Sequence, residues 1–175
     1  MKIEISPQIT LTPLELSDAA TISILVNQNR EELETYFPWA KHVQSREDAE
    51  DYIAARVRSG NFGARWFNVK FNGIKSGVFG IKHIDKDSQS AELGYWLTRE
   101  VRGNGITNKI IHSLSHFLAK AQSVKTIEFR CLDKNEAGIG VITRAGGKFV
   151  KSVANDMDNA DIFPKINVYH LDLAS

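Results

Sequence analysis

The chain has 175 residues, enough for one domain with a substantial core, and 42% of them are hydrophobic. Its 22 basic residues are balanced by 21 acidic ones, so net charge gives no general attraction to nucleic acid. A single cysteine excludes an internal disulfide framework, the amino-terminal segment lacks the apolar core of a signal peptide, and no apolar run is long enough to span a membrane. We therefore expect one cytoplasmic domain over residues 1–175, with its core at about 8–173.

The amino-terminal part predicts a strand followed by helices. The segment QITLTPL alternates like a short strand, and Ser17 is the expected N-cap of a first helix. Ile22, Leu25 and Val26 share one face of that helix. The acidic segment NREELETYFPWA predicts a short helix that ends near Pro38.

A better-marked helix and a hairpin come next. In SREDAEDYIAARVRSG, Ser45 is the expected N-cap, Asp48 stands at the capping-box position and Gly60 follows the end. The segments ARWFNVKF and IKSGVFGIKHI then alternate with period two and flank Asn72-Gly73, a strong hairpin signal. This region predicts an antiparallel pair of strands.

The second half predicts a strand AELGYWL, a glycine-containing loop and a long amphipathic helix. Helical spacing places these apolar residues on one face: Ile106, Ile110, Leu114, Phe117 and Ala121. KTIEFRCL then predicts a strand, EAGIGVITRAG a weak helix, and GKFVKSV and INVYHLDL two more strands. The predicted order is β, two or three α, β, β, β, α, β, α, β, β.

The loop before the long helix has the features of an anion site. The first N–H groups of a helix have no partner within it, and its amino terminus carries roughly half a positive charge. Gly103 and Gly105 would let a phosphate approach the backbone, and Arg102 would add a charge. Alternatively, the glycines only make a tight strand-to-helix turn. The sequence lacks the G-K-[ST] ending of a P-loop and the complete G-x-G-x-x-G of a dinucleotide fold, which excludes both.

The segment AELGYWLTREVRGNGIT resembles the acetyl-CoA motif of GCN5-related N-acetyltransferases (GNATs), specifically of the RimJ/RimL ribosomal-protein N-terminal acetyltransferase type. Arg102 and Gly105 match the first two fixed positions of the family signature, and Thr107 replaces its small third residue. Elsewhere in the chain, these segments occur in the same order as in the family: LTPLELSDA, PWA, HID, RCLDKNEAG and VITRAGGKF. The resemblance implies an α+β fold with a mixed, mostly antiparallel sheet of about seven strands, flanked by helices and splayed between its fourth and fifth strands.

The resemblance also implies how acetyl-CoA, the expected cosubstrate, is held. The pyrophosphate would lie in the loop formed by Arg102, Gly103, Asn104, Gly105, Ile106 and Thr107. The backbone of Trp96, Leu97 and Thr98 would pair with the pantetheine arm as an added strand does. Asn135 matches an asparagine that binds pantetheine amides, although an N-cap asparagine explains it equally well. The family's serine and tyrosine, candidates for protonating the departing thiolate, are replaced by Gly138 and Ile142, so that acid stays unassigned.

Two residues are candidates for accepting the proton of the amine. Glu92 on the fourth strand is the first and His83 at the end of the third is the second, and each is also explained as a surface residue. Cys131 alternates with Ile127 and Phe129, so we interpret it as core and expect CoA, not an enzyme thiol, to carry the acetyl group. The histidines and the cysteine lack ligand spacing, so we expect no metal.

The amino-terminal helices should form one wall of the acceptor cleft. The positions of interest there are Glu31, Glu32, Glu34, Tyr36 and Trp39. An acidic and aromatic wall would suit a cationic amine, although an acidic run is also typical of a solvated face. Three functions stay open: acetylation of a protein N-terminus, such as that of a ribosomal protein; acetylation of a small amine such as a polyamine, amino acid or antibiotic; and a CoA-binding regulatory module without catalysis. We expect no nucleic-acid or membrane partner, and a homodimer is compatible with the sequence.

Overall fold

The structure is a computed structural model that describes residues 2–173. Its strands are β1 (Ile3–Glu4), β2 (Ile9–Pro13), β3 (Arg65–Phe71), β4 (Ile74–Asp85), β5 (Ser90–Leu97), β6 (Thr126–Leu132), β7 (Lys148–Ala154) and β8 (Lys165–Asp172). Its α-helices are α1 (Ala19–Gln28), α2 (Arg30–Tyr36), α3 (Arg46–Val57), α4 (Ile106–Ala121) and α5 (Glu136–Arg144). Short 3₁₀ segments are Leu16–Asp18, Pro38–His42 and Arg99–Val101. The two-residue strand β1 is the one strand here that the sequence analysis does not predict.

The strands form one sheet in the order β1-β2-β3-β4-β5-β6-β8-β7. Pairing is antiparallel from β1 to β4 and between β6, β8 and β7. Strands β5 and β6 are parallel, and their register joins Ser90–Glu92 to Thr126–Glu128. These are the two strands between which the resemblance places the splay. The predicted α+β class and the mixed, mostly antiparallel sheet are confirmed.

The chain forms two compact units. The first contains the described residues up to His83 together with Gly94–Ile106. Its core joins buried side chains of the first three helices to side chains of β4 and β5: Ile22, Val26, Leu33, Ile53, Val78 and Trp96. Leu25 packs partly buried against this core, as the predicted apolar face of α1 requires.

The second unit contains Ile84–Leu93 and the chain from Thr107 onward. Within it α4 buries a row of apolar side chains: Ile110, Ile111, Leu114 and Leu118. The predicted face of this helix is wrong at Ala121, which is exposed, whereas Phe117 on the same face is half-buried. Steps of four residues keep the buried row on one side of the helix, and Leu118, not Ala121, continues that row.

The local signals for helix starts and turns have mixed outcomes. Ser45 caps α3 in a capping box with Asp48, as predicted. Asn72 and Gly73 both have left-handed φ angles, 51° and 80°, as the predicted two-residue hairpin requires. The prediction of Ser17 as N-cap is wrong. The chain instead enters helix through a 3₁₀ turn capped at Glu15, with the Asp18 carboxylate accepting the Glu15 N–H (2.8 Å).

Across residues 2–173, none of the helices combines the length and the apolar character that a bilayer crossing needs.

Candidate active site

The glycine loop leads from the 3₁₀ segment after β5 into α4. Gly103 and Gly105 have φ angles of +84° and +68°, which L side chains rarely adopt. A Cβ atom at either glycine would meet nothing within 4 Å, so the backbone is open on these sides. The first N–H groups of α4 have no partner within the helix. Open backbone, free donors and a helix amino terminus together fit an anionic phosphate group.

Arg102, the predicted phosphate ligand, is already engaged by the protein. Its Nη2 donates a hydrogen bond to the carbonyl oxygen of Leu97 (2.9 Å), and its Nη1 forms an ion pair with Glu32 of α2. Partial burial lowers the pKa of Arg102, but a guanidinium keeps its charge in proteins. Glu32 stood among several acidic positions in the sequence, and its partner is 70 positions away along the chain. No local pattern could have selected it.

The end of β5, where the resemblance places the pantetheine arm, is held by its neighbours. The Thr98 N–H donates to the carbonyl oxygen of Ser76 (2.8 Å), so this amide is used inside the protein. The indole of Trp96 donates to the Tyr52 hydroxyl (2.9 Å) in a buried hydrogen bond. A Cβ at Gly77 would lie 2.2 Å from the carbonyl oxygen of Trp96. Only glycine allows this approach of β4, and the sequence analysis missed that role.

The predicted acceptor-wall residues lie in the first unit in different surroundings. Glu31 is exposed on α2, Tyr36 is half-buried at its last position, and Trp39 is half-buried in the next 3₁₀ segment. The Trp39 ring lies 4.6 Å from that of Tyr52 and 5.8 Å from that of Trp96, centroid to centroid.

A cation lies within this aromatic group. The guanidinium carbon of Arg56 is 3.6 Å from the ring centroid of Tyr52 and 5.4 Å from that of Trp39. Burial lowers the pKa of Arg56, and the electron-rich faces of the aromatic rings stabilise its charge. The aromatic residues therefore already pack around a positive charge supplied by the protein, which the sequence analysis did not foresee.

Asn135 in the second unit serves as the N-cap of α5. Its Oδ1 accepts the N–H of Gly138 (3.0 Å), which leaves the two hydrogens of Nδ2 as donors. A Cβ at position 138 would lie 2.7 Å from Asn135 Nδ2 and 2.9 Å from Cys131 Sγ, so a serine does not fit there as the chain stands. Ile142 is 3% exposed and belongs to the core.

Cys131 is half-buried, so its interpretation as a core residue is only partly right. Burial nevertheless raises the pKa of its thiol to about 11. The thiol is therefore protonated at neutral pH and is a poor nucleophile.

Glu92, the first candidate base, is half-buried on β5 and pairs in register with Glu128 of β6. The Glu128 carboxylate accepts hydrogen bonds from Arg130 Nε (2.9 Å) and contacts His170 Nε2 (3.2 Å). Burial acts to raise the pKa of Glu128, but the hydrogen bonds from Arg130 and His170 outweigh it and lower the pKa. Arg130 also interacts electrostatically with Glu92. Glu92 thus lies within a charged group that the sequence analysis did not identify.

His83, the second candidate, is half-buried near the end of β4 in the first unit. Among residues 2–173, no three or more His, Cys, Asp and Glu side chains are grouped so that they could hold a metal ion.

Comparison with known proteins identifies the family of this chain. The chain matches the family model of the acetyltransferase (GNAT) domain over residues 8–148. It is 25% identical over 145 residues to the ribosomal-protein-serine acetyltransferase of Escherichia coli, which covers 82% of this chain and 81% of that protein.

Two solved structures show the same fold. RimL, a ribosomal α-N-protein acetyltransferase in complex with coenzyme A, superposes with a TM-score of 0.87 at 20% identity and covers 99% of this chain and 98% of its own. The microcin self-immunity acetyltransferase MccE, in complex with acetyl-CoA and AMP, gives a TM-score of 0.88 at 22% identity, with 97% and 95% covered. Because the family model spans most of the chain, this protein belongs to the GNAT acetyltransferase family and is an acetyl-CoA-dependent acetyltransferase.

Proposed function

We propose that this enzyme transfers the acetyl group of acetyl-CoA to the N-terminal α-amine of a protein, of the kind that ribosomal proteins carry. The observation that carries the proposal is the environment of Gly138. Gly138 has no hydroxyl, a Cβ there would crowd Asn135 and Cys131, and Ile142 is buried where many family members have a tyrosine. A site without these acids suits an acceptor that needs little help to react. The E. coli relative, whose name specifies a ribosomal-protein serine, supports the same acceptor class.

The glycine loop would hold the CoA pyrophosphate. Gly103 and Gly105 expose backbone to the ligand, and Asn104 Nδ2 donates to the Val101 carbonyl oxygen (2.8 Å), which steadies the loop. The buried side chain of Ile106 anchors the start of α4, and Thr107 adds a hydroxyl in its first turn.

The pantetheine arm would be bound through backbone groups. The Leu97 backbone, in the first unit, is the proposed partner of its amides. The Thr98 N–H is excluded from this role because it donates to Ser76.

The bound cosubstrate supplies an activated acetyl thioester. The neutral amine nitrogen forms a bond to the acetyl carbon, the carbon–sulfur bond breaks, and its electron pair leaves with the CoA sulfur. Glu92, acting directly or through water, is the proposed acceptor of the proton that the nitrogen loses, with His83 as the alternative. The protonated thiol of Cys131 takes no acetyl group.

An α-amine is the easier acceptor for such a site. At pH 7.4 an α-amine of pKa about 8 is roughly one-fifth neutral, whereas a lysine of pKa about 10.4 is neutral only about one time in a thousand. The difference corresponds to roughly 3 kcal/mol of barrier before any enzyme group acts. We therefore expect selection for N-termini over lysine side chains.

Matched peptides test this selection. Each peptide carries one free amine, either the N-terminus or a single lysine, with the other blocked, and mass spectrometry locates the added acetyl group. We expect the peptide with the free N-terminus to react at least tenfold faster at pH 7.4. Faster acetylation of the lysine peptide, or of free polyamines and amino acids, would contradict the proposal. Bound CoA with no acceptor raising thiol release above hydrolysis would favour a regulatory module.

Residues 1–175 would form one N-acetyltransferase domain with its core at about 8–173, because the family model runs through segments of both units. A ribosomal-protein acceptor also implies that the enzyme acts in the cytoplasm.

A further inference from the structure

Hydrogen bonds and ion pairs link the beginning of α2 to Arg99 and to Arg102, the first residue of the glycine loop. Glu32 accepts from Arg99 Nε through its Oε2 (3.2 Å) and forms an ion pair with Arg102 through its Oε1. The backbone N–H of Arg99 donates to the Oδ1 of Asn29, the residue before α2 (3.0 Å). All of these residues belong to the first unit. One carboxylate therefore bridges two guanidinium groups, and a second polar contact supports it.

The position of Glu32 is unfavourable for binding an anion in the loop. Its negative charge neutralises Arg102, the cation that lies next to Gly103 and Gly105 in the chain. A CoA phosphate that approaches the loop must compete with Glu32 for Arg102, and it also experiences repulsion from the carboxylate. Glu32 and both arginines are partly exposed, at 31%, 72% and 40% of their side chains, so solvent screens these interactions to a few-fold effect.

The same carboxylate also helps to hold α2, the helix that carries proposed acceptor-wall residues. Helix α2 carries Glu31 and Tyr36 and leads into the segment with Trp39, which are the proposed acceptor-wall residues. If a phosphate takes Arg102, Glu32 still has Arg99 as a partner, so α2 stays fastened while Arg102 turns to the ligand. The bridge can therefore exchange one partner without releasing the helix.

We propose that Glu32 is a positioning residue that holds the acceptor wall in place and, in doing so, weakens the binding of CoA. The inference rests on the proposed function, in which the glycine loop binds the CoA pyrophosphate and α2 borders the acceptor. Removing this one charge should therefore strengthen the binding of CoA and weaken the binding of the acceptor. General damage to the fold would weaken both.

The test replaces Glu32 by glutamine and measures CoA affinity by calorimetry and acceptor kinetics with the N-terminal peptide. We expect E32Q to bind CoA about three- to tenfold more tightly and to raise the acceptor KM by a similar factor. The kcat should stay within about twofold, because Glu32 touches no reacting atom. The gain in CoA affinity should shrink at high salt.

Two further variants separate charge from position. E50Q removes another ion-paired carboxylate, that of Glu50, which is paired with Arg46 on α3 (3.4 Å) and is more exposed than Glu32, at 44% against 31%. It should leave the binding of both substrates unchanged. R99Q loosens α2 but keeps the pair between Glu32 and Arg102, so it should raise the acceptor KM without tightening CoA. Equal or weaker CoA binding by E32Q, or weaker binding of both substrates, would overturn the role of Glu32. A parent enzyme that fails to bind CoA would instead contradict the loop assignment.

Discussion

Gly105 and Gly60 have the same local geometry in different places. Gly60 follows α3 with a φ of +76°, Gly105 precedes α4 with a φ of +68°, and a Cβ at either would meet no atom within 4 Å. A side chain at either position therefore has room but forces an L residue into the left-handed region. The strain of doing so is about 1–2 kcal/mol at each. What distinguishes the two glycines is the proposed phosphate loop around Gly105.

Tryptophan at each of these positions separates strain from ligand obstruction. We expect G105W and G60W to lose similar free energy of unfolding, about 1–2 kcal/mol, in urea titrations. Calorimetry should show that G105W no longer binds CoA, because the indole fills the approach to the loop, while G60W binds as the parent does. Undiminished CoA binding by G105W would mean that the phosphates lie elsewhere.

Single residues also mark where the sequence stops being informative. The pattern from Arg102 to Gly105 predicts the loop because it is contiguous, and both of its glycines have left-handed φ angles in the structure. The partner Glu32 could not be found, since the ion pair joins segments far apart in the chain. The crowding at Gly138 was equally inaccessible, because it depends on where the Cys131 side chain points.

At the scale of elements, periodicity and turn chemistry predicted nearly every helix and strand. These signals depend on neighbours within a few residues, as in the capping box that starts α3. The prediction for the start of α1 is wrong because tertiary contacts determine where that helix begins. Asp18, not Ser17, is buried there, and its carboxylate contacts Lys75 Nζ (2.5 Å) and Asn68 Nδ2 (2.8 Å) on the neighbouring strands.

The contacts of Asp18 make the free energy of unfolding depend on pH. Burial acts to raise the pKa of Asp18, but the hydrogen bonds from Lys75, Asn68 and the Glu15 backbone outweigh it and lower the pKa below its ordinary 3.8. The unfolded chain therefore takes up the proton first as pH falls, so stability present above about pH 5 is lost below 3.8.

Substitutions at two adjacent positions test the role of Asp18. We expect D18N to lower the free energy of unfolding by about 2 kcal/mol at pH 7, a value reduced for the partly exposed Lys75. The loss relative to the parent should diminish between pH 5 and 3. S17A, at the exposed position that the sequence favoured, should change stability by less than about 0.5 kcal/mol. Urea titrations across this pH range measure the stability of both variants. A loss in S17A greater than about 0.5 kcal/mol would indicate that Ser17 is the N-cap after all.

For the whole molecule, binding of the cosubstrate should be visible as stability. CoA at about 100 times its dissociation constant adds roughly 2.7 kcal/mol to the free energy of unfolding. For a chain of this size, that corresponds to a rise in Tm of about 5–10 °C. Adenosine, which has no phosphates, should give a much smaller shift in the same calorimetric scan. An equal shift with adenosine would show that the glycine loop contributes little.

The crowded contact around Gly138 also restricts the order in which substitutions can accumulate during evolution. A serine introduced at position 138 collides with Cys131 and with the amide that caps α5. Replacing Cys131 by alanine removes the sulfur that would stand 2.9 Å from the new Cβ, whereas the Asn135 amide nitrogen, at 2.7 Å, must still move. The effect of a serine at position 138 therefore depends on the residues at positions 131 and 135, so that substitutions at these positions are epistatic.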